Sequence, residues 1–168
     1  MIALLLPVLA IAFPESGRAD PQGLPTVPTL TLALAQAAAT AANVACQRQG
    51  LATTATVVDA SGTIIAQLRM DGATAATVDV SKGKAYAAAG FKTPTDQLRD
   101  AAKTNPGFIS IPNFIILGGG IPINSGTRVV GAIGVSGAPT DDIDKTCAQA
   151  GLDAINGAGS GGGSNLPR

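Results

Sequence analysis

Along residues 29–49, small apolar side chains fill almost every helical offset, and the run LALAQAAATAANVAC predicts a helix able to approach its neighbours closely. Thr29 or Thr31 can cap its start and Gly50 marks its stop. Two β-branched runs follow, TATVVDA and TIIAQLRM, separated by Ser61-Gly62, which reads as a hairpin ended by Asp71-Gly72. From 75 to 91, Lys82, Lys84, Ala85 and Ala88 recur at helical offsets. Pro94 forces a break, and Thr93 or Thr95 can cap a short helix to Lys103. Asn105-Pro106-Gly107 is a turn. NFIIL, IPIN and RVVGAIGVSG then predict three strands, punctuated by Gly118-Gly119-Gly120 and Ser125-Gly126, and a last helix runs from about Thr140 to Ile155. Hairpins with helices between them predict an α+β domain: one five-stranded antiparallel sheet covered by helices.

The ends read differently from this centre. Residues 2–13 are apolar without a charge, too few to span a bilayer as a helix, which needs roughly 20 residues. They have the length of a signal-peptide core, and Gly17-Arg18-Ala19 supplies small residues for cleavage before Asp20, so residues 1–19 are expected to be a signal peptide on an exported chain without a membrane span after cleavage. A Pro-rich leader is expected over 20–28, the domain over 29–156, and a flexible Gly/Ser tail over 157–168. Export changes how Cys46 and Cys147 read: in an oxidising compartment they could pair, or they could be two inert buried thiols.

Composition then removes whole classes of chemistry. With 168 residues the length suggests one domain. Eleven basic residues balance eleven acidic ones, so no basic stripe awaits nucleic acid or anionic lipid, and one Tyr with four Phe is too little for a base-stacking platform. The chain has no histidine, which excludes Ser-His-Asp and Cys-His catalysis, His-type zinc sites and a proximal-His haem pocket. Two cysteines cannot build a four-thiolate metal site, and no metal centre is expected.

The motifs that remain are modest. Gly118-Gly119-Gly120 lacks the GK[ST] and the following helix of a phosphate loop; it is either a tight turn or a wall that a ligand or another backbone approaches closely. Gly131, Gly134 and Gly137 lie within a strand and admit an Ala-rich helix across the sheet. Asp141, Asp142 and Asp144 suit the first turn of a helix by attraction to its dipole. Arg69, Asp71, Lys82, Lys84 and Tyr86 could gather near one mouth, where a desolvated lysine would serve as a base or Schiff-base amine; alternatively the lysines are solvated and paired with nearby Asp.

As a set, VVDASGTIIAQLRMDGA, KAYAAAGFKTPTDQL, PGFISIPNFIILGGGIPI and VVGAIGVSGAPTDDIDKTCAQAGLDAI resemble the GlcG/HbpS-like proteins, also called the haem-degrading domain family. The resemblance implies a profilin-like sheet flanked by helices and homo-oligomers from dimers to octamers. It further implies, for some secreted members, haem binding for scavenging or redox sensing with a sensor-kinase partner. Thr95 is carried over as a candidate haem contact, and Arg69, Lys84, Tyr86, Gly119 and Gly120 match positions around the expected pocket. Some haem-binding members use a histidine that this chain lacks, leaving Tyr86, Met70, a Cys thiolate or a Thr hydroxyl as axial donors. Two other readings compete with a ligand-binding module: a small-molecule enzyme with Lys84 or Tyr86 as acid or base, and an oligomer whose role is structural.

Overall fold

The computed structural model describes residues 27–159; the expected signal peptide, nearly all of the leader and the last nine residues of the tail lie outside the described residues. Helix α1 spans Leu32–Gln47 and is capped by Thr31, whose hydroxyl accepts the Leu34 N–H at 3.3 Å. Strands β1 (Thr54–Asp59) and β2 (Ile64–Arg69) form the expected hairpin around Ser61-Gly62, with Gly62 at φ +87°. Asp59 closes that turn, its carboxylate accepting from the Ser61 hydroxyl and from the Ser61 and Thr63 N–H groups. Helix α2 covers Ala76–Phe91 and α3 covers Thr95–Ala102, and a 3₁₀ turn at Pro106–Ser110 follows. Strands β3 (Gly120–Ser125) and β4 (Arg128–Ser136) and helix α4 (Asp141–Gly159) complete the domain. Thus α4 runs past the expected domain edge at 156.

The sheet order is β2-β1-β4-β3, antiparallel throughout. Both faces are covered, so β1 is buried along nearly its whole length and alternates by partner. Ala55 and Val57 join Ile133 and Val135 beneath α1 and α4, the larger core. Val58 and Ala132 meet Ala85, Ala88 and Ala89 of α2 on the other face. There the β1 threonines are satisfied by hydroxyls of α2, Thr54 with Thr77 at 2.6 Å and Thr56 with Ser81 at 2.7 Å. Gly134 lets this helix in: a Cβ there would lie 2.1 Å from the Ser81 carbonyl oxygen. A disulfide between Cys46 and Cys147, with 5.6 Å between the Cα atoms, ties α1 to α4.

Among the described residues four strands form, not five. NFIIL, expected as a strand, is an irregular segment laid across the outside of α2. Gly83 and Gly90, two turns apart on one helix face, give seats to Ile115 and Phe114: a Cβ at Gly83 would meet Ile115 Cγ1 at 2.6 Å, and one at Gly90 would meet Phe114 Cζ at 3.1 Å. The Ile115 N–H donates to the Gly83 carbonyl at 3.3 Å, so its pairing is with helix backbone rather than a sheet edge. The expected cap of α3 also differs. Pro94 occupies the cap position without a side-chain bond, because the Thr95 hydroxyl is committed elsewhere.

Candidate functional site

The sequence-selected residues Lys84, Thr95, Gly119 and Gly120 come together where α2, α3 and α4 meet the turn that leads into β3. Lys84 sits mid-helix over the sheet, where Gly119, without a Cβ, leaves space for its side chain. Lys84 is 1% exposed, and its Nζ donates to Asp144 Oδ2 at 2.7 Å and to the Val135 carbonyl at 3.0 Å. Asp144, 3% exposed, uses its other oxygen to accept the Ala138 N–H at 3.0 Å. Burial holds the Asp144 carboxyl above the ordinary carboxylate range, with Lys84 pulling in the opposite direction. The pair therefore cross-links α2, α4 and the end of β4 inside the protein.

Gly119 (φ +110°) and Gly120 make that packing possible. A Cβ on Gly119 would stand 2.8 Å from Asp144 Cβ and 3.3 Å from Lys84 Nζ; one on Gly120 would stand 2.5 Å from the Lys84 carbonyl oxygen and 2.6 Å from Thr95 Cγ2. Thr95 straps the same turn from α3: its Oγ1 accepts the Gly120 N–H at 2.9 Å and donates to the Leu117 carbonyl at 2.6 Å. Outside this buried layer, Arg99 pairs with Asp141 and Lys145 with Asp96, fastening α3 to α4. Of the readings open for the triple glycine, the close approach of protein backbone and side chains is what is seen. Lys84 is correspondingly a fixed internal cation, neither a solvated surface lysine nor a mobile amine.

Arg69 and Tyr86 are not part of this junction. Arg69 stands at the open end of the β1–β2 hairpin, opposite Thr54, and its guanidinium donates to the Ala73 carbonyl. Tyr86 lies at the turn end, its ring filling the space over Gly62, where a Cβ would be 2.3 Å from Tyr86 Cδ2. The hairpin's length separates the two, so the expected gathering at one mouth does not form. Tyr86 instead begins a row of aromatic rings: it meets Phe114 edge-on at 5.2 Å, Phe114 meets Phe91 at 5.2 Å, and Phe91 meets Phe108 at 5.0 Å. Phe91, Ile109 and Leu117 leave an exposed apolar surface around that row. One turn before Tyr86, a groove of about 170 Å³ is lined by Asp79, Lys82, Gly83, Asn113 and Ile115.

For an axial donor to haem iron, the structure narrows the field. Both cysteines are in the disulfide, so neither supplies a thiolate. Met70 Sδ accepts the Thr53 N–H at 3.4 Å, and the Thr95 hydroxyl is bonded to backbone. Sequence reasoning missed Asp144 as the lysine's partner, because in a helical first turn it is indistinguishable from Asp141 and Asp142. The aromatic row was also missed; the seven-residue spacing of Gly83 and Gly90 is the one local trace of the segment that completes it.

Comparison with known proteins places this architecture. Residues 30–153 match the family model described as haem degrading protein HbpS-like. A double mutant of Streptomyces reticuli HbpS has a crystal structure that superposes with a TM-score of 0.76 at 34% identity, covering 83% of this chain and 97% of that one. A Citrobacter freundii protein described as an uncharacterized 15.0 kDa protein in the dhaT-dhaS intergenic region is 30% identical over 135 residues, 77% of this chain and 94% of its own. The PduOC protein, solved as a complex with haem, superposes with a TM-score of 0.71 at 25% identity, covering 77% of this chain and 96% of that one.

Proposed function

The chain belongs to the HbpS-like family of haem degrading proteins, and from that premise we propose that it is an exported, self-associating module that binds haem or a related tetrapyrrole for scavenging or redox sensing. The observation that carries the reading is the likeness, over nearly the whole of both domains, to a protein solved with haem bound. When bound, haem would supply an iron centre whose oxidation and ligation state can change with the surroundings. The protein's own part is to hold the ligand on a rigid surface. Thr95, Gly119, Gly120 and the Lys84–Asp144 pair form the frame that fixes the 117–120 turn, and the aromatic row beside it offers the apolar contact that a flat macrocycle requires.

Lys84 favours binding over catalysis in this reading. An amine held by a carboxylate and a carbonyl at 1% exposure is a scaffold, whereas a general base must reach its substrate. Export is supported by the apolar run over 2–13 and by the Cys46–Cys147 disulfide, since such bonds persist in oxidising compartments. Self-association is supported by α1, which carries no charged residue and exposes Leu32, Leu34 and Val44. A sensor-kinase partner belongs to the same reading by likeness to the family.

Titration of the purified protein with ferric haem tests the central claim. A saturable Soret shift at one haem per chain below tens of micromolar is expected, weakened in Thr95→Ala and retained in Thr95→Ser, which keeps the hydroxyl strap. Absence of any shift in the unaltered protein overturns it. Light scattering checks the assembly, with a monomer at micromolar concentration as the adverse result.

A further inference from the structure

We infer that Tyr86 is the axial ligand this protein offers to ferric haem iron, an assignment that rests on the haem-binding reading above. The chain lacks the imidazole that commonly fills this role. Its two thiols are joined to each other, its buried lysine is held by Asp144 and Val135, and Met70 and Thr95 are turned toward backbone groups. Lys103 and Lys145 are ion-paired. Lys82 and Lys92 are exposed, and a strongly hydrated amine on a flexible stem is a poor donor to ferric iron.

Tyr86 is different. It is the one tyrosine in the chain, and its phenol oxygen has no hydrogen-bond partner among the described residues. No buried side-chain polar atom of the described residues is left without a partner, so that oxygen must face solvent. The ring behind it is fixed between Gly62 and Phe114, which makes it a rigid, pre-positioned donor. A phenolate is a hard anionic ligand suited to ferric iron, and tyrosine serves as the axial ligand in catalase. The surroundings fit the rest of the group. Phe114 supplies an apolar edge, and the groove one turn before Tyr86 presents the Lys82 amine and the Asn113 side chain to a propionate, with the Asp79 carboxylate on the same lining restricting it to the Lys82 and Asn113 side. On coordination the phenol proton would leave to solvent, which its exposed oxygen permits.

Absorption and electron paramagnetic resonance spectra of the full chain with ferric haem decide the matter. The unaltered protein should show a high-spin ferric signal with a phenolate-to-iron charge-transfer band. Tyr86→Phe, which keeps the ring in its seat, should lose that band and bind at least tenfold more weakly. Tyr86→His should exchange the signature for that of an imidazole-ligated iron, which a residue remote from the metal could not do. A Tyr86→Phe complex with unchanged spectrum and affinity, or a Tyr86→His complex spectrally identical to the parent, overturns the assignment and leaves the haem reading standing. Failure of the unaltered protein to bind haem overturns both.

Discussion

Replacing Lys84 by Met removes one half of an ion pair that is otherwise sealed in the protein. Its Nζ lies 2.7 Å from Asp144 and 3.0 Å from the Val135 carbonyl, and both charged residues are at most 3% exposed. Breaking such a pair from one side strands the other charge, which costs about 3–5 kcal/mol, whereas replacing both partners by apolar groups is often neutral. Lys84→Met and Asp144→Leu should therefore each cost about 3–5 kcal/mol, or on the order of 10–20 °C in Tm for a domain of this size. The double variant forfeits the bonds to Val135 and Ala138, each worth about 1 kcal/mol, and should return to within about 2 kcal/mol of the parent. Urea unfolding with the disulfide intact gives all three values. The pH dependence adds a sign. Burial places the Asp144 carboxyl above its unfolded value, so its contribution to stability is complete at acidic pH and declines as pH rises through the folded-state value. Without Lys84 to oppose that rise, the deficit of Lys84→Met should be larger at pH 7 than near pH 4. Single variants costing under about 1 kcal/mol, or a double variant equal to the sum of the singles, would refute the reasoning.

Three further outcomes follow from other parts of the molecule. Reducing Cys46–Cys147, or replacing both by Ala, opens a loop of 101 residues' separation and should lower stability by about 4–5 kcal/mol in the chain-entropy view, measured as a shift in the urea midpoint. Gly120→Ala drives a methyl into the Lys84 carbonyl and Thr95, and calorimetry should show a loss of at least about 1–3 kcal/mol, since helix backbone cannot yield as a side chain can. Asp59 is held below the ordinary carboxylate range chiefly by the Ser61 hydroxyl, so its stabilising effect is present above the unfolded pKa and lost as pH falls through the folded one. Asp59→Asn should accordingly flatten the acid limb of Tm against pH, and an unchanged limb would contradict that account.

What the sequence made legible was local. The β1–β2 hairpin, the Thr31 cap and the acidic first turn of α4 each depend on residues a few positions apart, and each is found where pattern placed it. The misread strand at NFIIL shows the limit. A short apolar run states that it will be buried but not against what, and here glycine seats on α2 supplied the partner that a sheet edge was expected to supply. The site divides in the same way. Thr95, Gly119 and Gly120 were reachable through the family resemblance, while the partner of Lys84 lies 60 positions away and carries no sign of its role in the chain's local chemistry.

The disulfide that joins the first helix to the last has an effect beyond stability. Positions 46 and 147 enclose the whole sheet, α2 and α3, so the hairpins and connecting segments all lie inside one covalent ring. A protease that nicks any one of these segments cannot separate the fragments: both pieces stay tethered, held at the high local concentration that favours their remaining associated. On a non-reducing gel such a clipped molecule would migrate as one species. In a compartment rich in peptidases, the ring would let damage accumulate in the backbone before any part of the fold is shed.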